Sequence, residues 1–166
     1  GGGITPDIIT DINKLPTYVD ALWKEGVFLS FASFYFSHHP ELKQSLYISN
    51  DIMKEFKLFL NDYELDYKLP FEIHYEKLIK SIGNYPLSIN EHSKNISYGK
   101  NASNKFEKYF KMYIEQVKNV QFSLKENQKW IKNGLLREFS RVVFSEKERI
   151  KVSLYEDVDY KKASEL

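Results

Sequence analysis

Val27-Phe28-Leu29-Ser30-Phe31-Ala32-Ser33-Phe34-Tyr35-Phe36 carries no charge and is apolar and aromatic almost all round. It ends at His38-His39-Pro40. A stretch with so little polar surface predicts a buried helix at the centre of its neighbourhood, with Phe28, Phe31, Phe34 and Tyr35 in the core. The segments on either side read as helices made to pack on it. Upstream, Pro16 suits a first helical turn, Leu15, Val19, Leu22 and Trp23 fall on one face, and Gly26 supplies the stop. Downstream, Ser49-Asn50-Asp51 offers N-cap residues for a helix whose Ile52, Phe56, Phe59, Leu60 and Tyr63 recur as one stripe.

The same pattern continues through the chain. Pro70 opens a helix with Phe71, Tyr75, Leu78, Ile79 and Ile82 in register until Gly83. A long helix begins near Asn104, with Phe106, Phe110, Tyr113, Ile114 and Val117 on one face and Glu107 and Lys111 spaced to pair. The next helix carries Trp130, Ile131, Leu135, Phe139 and Val142, with Gly134 as a weak point costing about 1 kcal/mol against Ala. Short helical pieces follow around Glu146 to Ser153 and from Asp159 onward. Between these helices, residues 83–103 are polar and rich in Asn, Ser and Gly, which predicts a loop that is mobile, functional or inserted. Gly3-Ile4-Thr5-Pro6-Asp7-Ile8-Ile9 is a turn followed by a β-branched run and predicts an extended segment. The expected fold is therefore mainly α: about seven helices with one short N-terminal strand.

Composition narrows the function classes. The chain's 166 residues include 12 Tyr and 12 Phe, enough to build a packed core. Twenty-four Lys and Arg against 23 Asp and Glu leave a net charge of +1, which provides no footprint for nucleic acid or an anionic membrane. No apolar run reaches the roughly 18 to 20 residues of a membrane span. Cysteine is absent, excluding disulfides, thiolate metal sites and a cysteine nucleophile. Gly1-Gly2-Gly3 at the front and Ser164-Glu165-Leu166 within a helical stretch read as cuts through a longer protein, although a cloning scar also explains the glycines.

No set of residues assembles into a catalytic, cofactor-binding or metal-binding site. His38 and His39 are neighbours, so on a helix they point about 100° apart, and His74 and His92 lack a partner at metal-site spacing. Ser97-Tyr98-Gly99-Lys100 has Ser-x-x-Lys spacing but falls in the polar loop, which cannot preorganise an oxyanion hole. The glycines at the front lack the Lys of a phosphate loop. Asn95-Ile96-Ser97 and Asn101-Ala102-Ser103 are glycosylation sequons in a sequence where Asn is common. Lys94, Lys100 and Lys105 with Tyr85 and Tyr98 make a poor nucleic-acid patch beside Glu91 at this net charge.

Gly2-Gly3-Ile4-Thr5-Pro6-Asp7-Ile8 resembles the Gly-Ile-x-Pro-Asp-Ile segment of the carboxy-terminal processing, or tail-specific, serine peptidases. There it leads out of the protease core. Tyr18 to Gly26, Phe31-Ala32 through Pro40-Glu41-Leu42, and Ser49 to Phe59 are similar to successive helices of that family's tail. Leu135-Leu136-Arg137-Glu138-Phe139 and Asp157-Val158 to Ala163-Ser164-Glu165-Leu166 resemble its closing helices, whereas residues 83–103 have no counterpart. The resemblance implies that residues 1–12 end a protease core and residues 13–166 form a C-terminal helical domain. It also implies a periplasmic or envelope parent that cleaves proteins or peptides with a Ser/Lys pair and captures carboxyl termini with a PDZ domain. Both lie before Gly1, so no catalytic residue transfers to this sequence. The segment is then expected to buttress the core, form homo-oligomer contacts or shape substrate access. A free-standing helical interaction module is the alternative, and a hydrolase built on His38 or His39 a third reading.

Overall fold

The computed structural model describes residues 14–40, 47–83, 96–156 and 158–164, with side chains left out at 82–83, 96–104, 155–156 and 158–159. Among the described residues the fold is all-helical, with eight α-helices and no strand. These are α1 (Thr17–Lys24), α2 (Val27–His38), α3 (Asn50–Phe59), α4 (Pro70–Gly83), α5 (Ile96–Val120), α6 (Lys125–Val143), α7 (Glu146–Glu156) and α8 (Val158–Ser164). The expected N-terminal strand and the boundary between residues 12 and 13 lie outside the described residues. The chain forms two compact units, one of Gly1–Leu65 with Lys125–Leu166 and the other of Asp66–Leu124.

In the first unit α2 packs on α1 and α6, and α6 also carries α7. Pro16 stands at the N-cap of α1, and Gly26, at φ 64°, makes the left-handed turn that lets α2 start immediately. Only glycine adopts that φ without a steric penalty. The buried side of α2 comprises Val27, Phe28, Phe31, Ala32, Tyr35 and Phe36. Phe34, expected in the core, is 44% exposed. It lies past the edge of the buried arc with Leu29, Ser30, Ser33 and Ser37, so α2 is two-faced rather than buried all round. Phe34 still stacks against Phe59 and His38, at ring separations of 5.3 and 4.4 Å.

The Ser49 side chain accepts a hydrogen bond from the Ile52 backbone N–H at 3.2 Å, the expected N-cap of α3. From α3, Phe56 meets Phe28 and Phe31 at 5.5 and 5.0 Å, and Phe139 of α6 reaches Phe31, Tyr35 and Phe36. Ile131, Leu135 and Phe139 of α6 are buried, while Val142, assigned to the same face, is exposed. Gly134 has a role the sequence did not disclose. A Cβ there would lie 2.8 Å from Cζ of Phe28, so the missing side chain permits the close crossing of α2 and α6.

In the second unit α4 and α5 join through rings. Phe71 meets Phe110 and Tyr113 at 5.9 and 5.7 Å, and Tyr75 stacks on Phe110 at 3.9 Å. Lys118 Nζ donates to the Tyr67 carbonyl at 2.8 Å and lies 3.3 Å from Glu72 Oε1, tying the α4 entrance to α5. Glu72 also accepts from the Leu69 N–H at 2.8 Å, capping the start of α4. The Glu107–Lys111 pair forms at 2.8 Å. The helix expected near Asn104 begins at Ile96, so the second part of the expected loop is helical and residues 84–95 lie outside the described residues. Propagating an established helix costs far less than starting one, and the aromatic stripe downstream outweighs the weak propensity of Ser and Asn.

Candidate functional site

The most concentrated chemistry among the described residues is a charge cluster on α6 and α7. Positions 134, 135, 138 and 139 of α6 face the interior, which places the Glu138 carboxylate at 4% exposure. It lies 3.6 Å from Nη1 of Arg141, one turn on, and 4.0 Å from Nη1 of Arg149 on α7. Glu146, at the start of α7, joins both arginines: Arg141 Nε is 3.2 Å from its carboxylate, and Arg149 Nε donates to it at 2.8 Å. That hydrogen bond holds the Glu146 carboxyl below the usual carboxylate range and raises the Arg149 guanidinium.

Arg137 lies next to this group without entering it. Its guanidinium is stacked over the Trp23 ring, 4.9 Å from the centroid, and its Nε is buried with no hydrogen-bond partner. Burial, and then the positive charge of Arg149, lower its pKa. The arrangement brings carboxylates and guanidiniums together, acceptors with obligate cations. It supplies electrostatic binding and helix cross-linking, and no nucleophile takes part in it.

The histidines singled out in the sequence go elsewhere. His38 Nδ1 lies 2.9 Å from the Phe34 carbonyl and 3.0 Å from Ser37 Oγ, so the ring caps the C-terminal end of α2. His39 stacks on Tyr35 and lies 3.7 Å from Glu55. His74 is exposed on α4, and His92 is outside the described residues. No group of His, Cys, Asp or Glu able to hold a metal occurs among the described residues. Ser97, Lys100 and the Asn101 sequon lie on α5. On the same helix Phe106, Tyr109, Tyr113 and Val120 are half or more exposed at spacings of three, four and seven, an apolar stripe of the kind found at association surfaces.

Sequence reasoning missed the charge cluster because the burial of Glu138 is a tertiary fact. The available signal was the spacing of Glu138, Arg141, Glu146 and Arg149, which alternates sign around one helix junction.

No helix among the described residues is long and apolar enough to cross a membrane. No curated protein and no solved structure matches the chain. One family model does, described as "Probable PDZ-protease, C-terminal helical domain", and it covers residues 18–166, including all eight helices apart from Thr17. The chain belongs to that family of C-terminal helical domains of probable PDZ-proteases.

Proposed function

We propose that this chain is the non-catalytic helical tail of a carboxy-terminal processing serine endopeptidase of the periplasm or cell envelope. The observation that carries this reading is a juxtaposition: the Gly2-to-Ile8 segment, which resembles the exit from a tail-specific protease core, lies shortly before the family match that begins at residue 18. The parent cuts protein or peptide substrates with a Ser/Lys pair located upstream, and the tail buttresses that core. Contacts between copies of the parent and the shaping of substrate access are further roles open to the same surface.

The test compares the 166-residue chain with the native polypeptide extended upstream, each incubated with an unstructured protein substrate. The extended protein should cleave it and the shorter chain should not. Equal cleavage by both, or an upstream sequence without a PDZ-like segment and a Ser/Lys pair, would end the proposal. The exposed Phe106, Tyr109, Tyr113 and Val120 stripe favours a second reading, a free-standing helical protein-interaction module. That reading requires a native start codon close to Gly1.

A further inference from the structure

We propose that α7 and α8 form a charge-latched arm, which detaches from α6 as one piece while the rest of its unit stays folded. The arm is independent of the peptidase assignment. Every α7 side chain described, from Glu146 to Leu154, is exposed or half-buried, and the apolar Ile150 and Leu154 are among the exposed. α8 packs on α7, and its side chains from Tyr160 to Ser164 are exposed. The arm therefore adds little apolar burial to a unit whose core is the ring cluster of α1, α2, α3 and α6.

A crossed set of charges ties α7 to α6. Glu138 and Arg141 belong to α6, Glu146 and Arg149 to α7, and each acid lies within 4.0 Å of the base on the other helix. The latch is loosest where it is most buried. Arg141 and Arg149 stand 3.6 and 4.0 Å from Glu138, and Glu138 Oε2 accepts no hydrogen bond among the described residues. A charge-assisted hydrogen bond would bring such groups to about 2.7–2.9 Å. Arg137 on α6 carries the same charge as Arg149 and opposes its approach. A buried carboxylate repays its desolvation only when its partners are close and its lone pairs are filled. Release of the arm takes Arg149 away and lets water reach Glu138, so the charge cost of docking is recovered. The docked and detached arms therefore lie close in free energy, with charge setting the balance. Salt screens the half-exposed Arg141–Glu146 link and favours detachment.

The experiment is native-state amide exchange of the 166-residue chain across low denaturant, at about 0.05 M and about 0.5 M sodium chloride. Amides of α7 and α8 should share one opening, less denaturant-dependent than the global opening that exposes α2. Added salt should accelerate their exchange several-fold more than that of α2. Arg149→Leu leaves Glu138 facing an apolar side chain and should accelerate α7 and α8 about tenfold without affecting α2. Glu138→Leu combined with Arg149→Leu replaces the latch with an apolar contact and should restore protection and remove the salt response. An α7 that opens only with α2, or that frays residue by residue from the end of α8, would overturn the proposal. Exchange of the arm that ignores salt would also overturn it, as would a double variant no better protected than Arg149→Leu.

Discussion

Replacing Gly134 with Ala sets a local gain against a tertiary cost. In the middle of α6, Ala is favoured over Gly by up to about 1 kcal/mol of helix propensity. The added Cβ would lie 2.8, 2.9 and 3.0 Å from Cζ, Cε1 and Cε2 of Phe28. That ring is 1% exposed and wedged between Trp23 and Phe56, at 4.7 and 5.5 Å, so it has little room to yield. Overpacking of this kind costs about 1–3 kcal/mol. The net effect of Gly134→Ala is therefore a destabilisation of up to about 2 kcal/mol, taking the propensity gain from the packing cost. Phe28→Leu removes the ring atoms that collide, so in that background Gly134→Ala should turn stabilising by up to about 1 kcal/mol. Urea unfolding of the four proteins of this cycle, followed by tryptophan fluorescence, reads the right unit, since Trp23 and Trp130 both belong to it. A coupling of about 1–3 kcal/mol between the sites is expected. Gly134→Ala having the same effect in both backgrounds would refute the close-crossing explanation.

Two further outcomes follow from individual contacts. Tyr18 is buried, which pushes its hydroxyl up to about 12 from an ordinary 10, so the folded state resists its ionisation. The stability this contributes is fully present below pH 10 and is lost as pH rises towards about 12, by up to about 2 kcal/mol. Chemical denaturation across that range should show the wild type losing stability faster than Tyr18→Phe, and parallel losses would count against the assignment. Lys118→Met removes the cation shared by Glu72 and the Tyr67 carbonyl and should weaken the α4–α5 pair by about 1–3 kcal/mol. Native-state amide exchange should accelerate in both helices, and unchanged protection would show that the rings alone hold them.

What could be read from the sequence depended on whether the cause was local. The Ser49 cap, the Gly26 turn and the stripes of α3 and α6 rest on interactions within a few residues, and each was visible in the spacing. Phe34 was not, because hydrophobicity alone does not say where a buried arc ends once both faces of a helix carry rings. Gly134 was misread for a related reason: propensity counts the helix it sits in, whereas the deciding atoms belong to Phe28 on a different helix. The site followed the same rule. Arg137 and Glu138 are adjacent in a stretch already noted for its similarity to a helical tail, yet nothing in that adjacency shows that Glu138 lies within reach of two further guanidiniums while Arg137 lies over the Trp23 ring. A charged side chain left half-desolvated works against the stability of its own fold. The packed rings of α1, α2, α3 and α6 supply stability from elsewhere in the unit, so they can hold such a cation in a fixed position. The aromatic core that made the fold legible is therefore also the physical condition for a site that the sequence concealed.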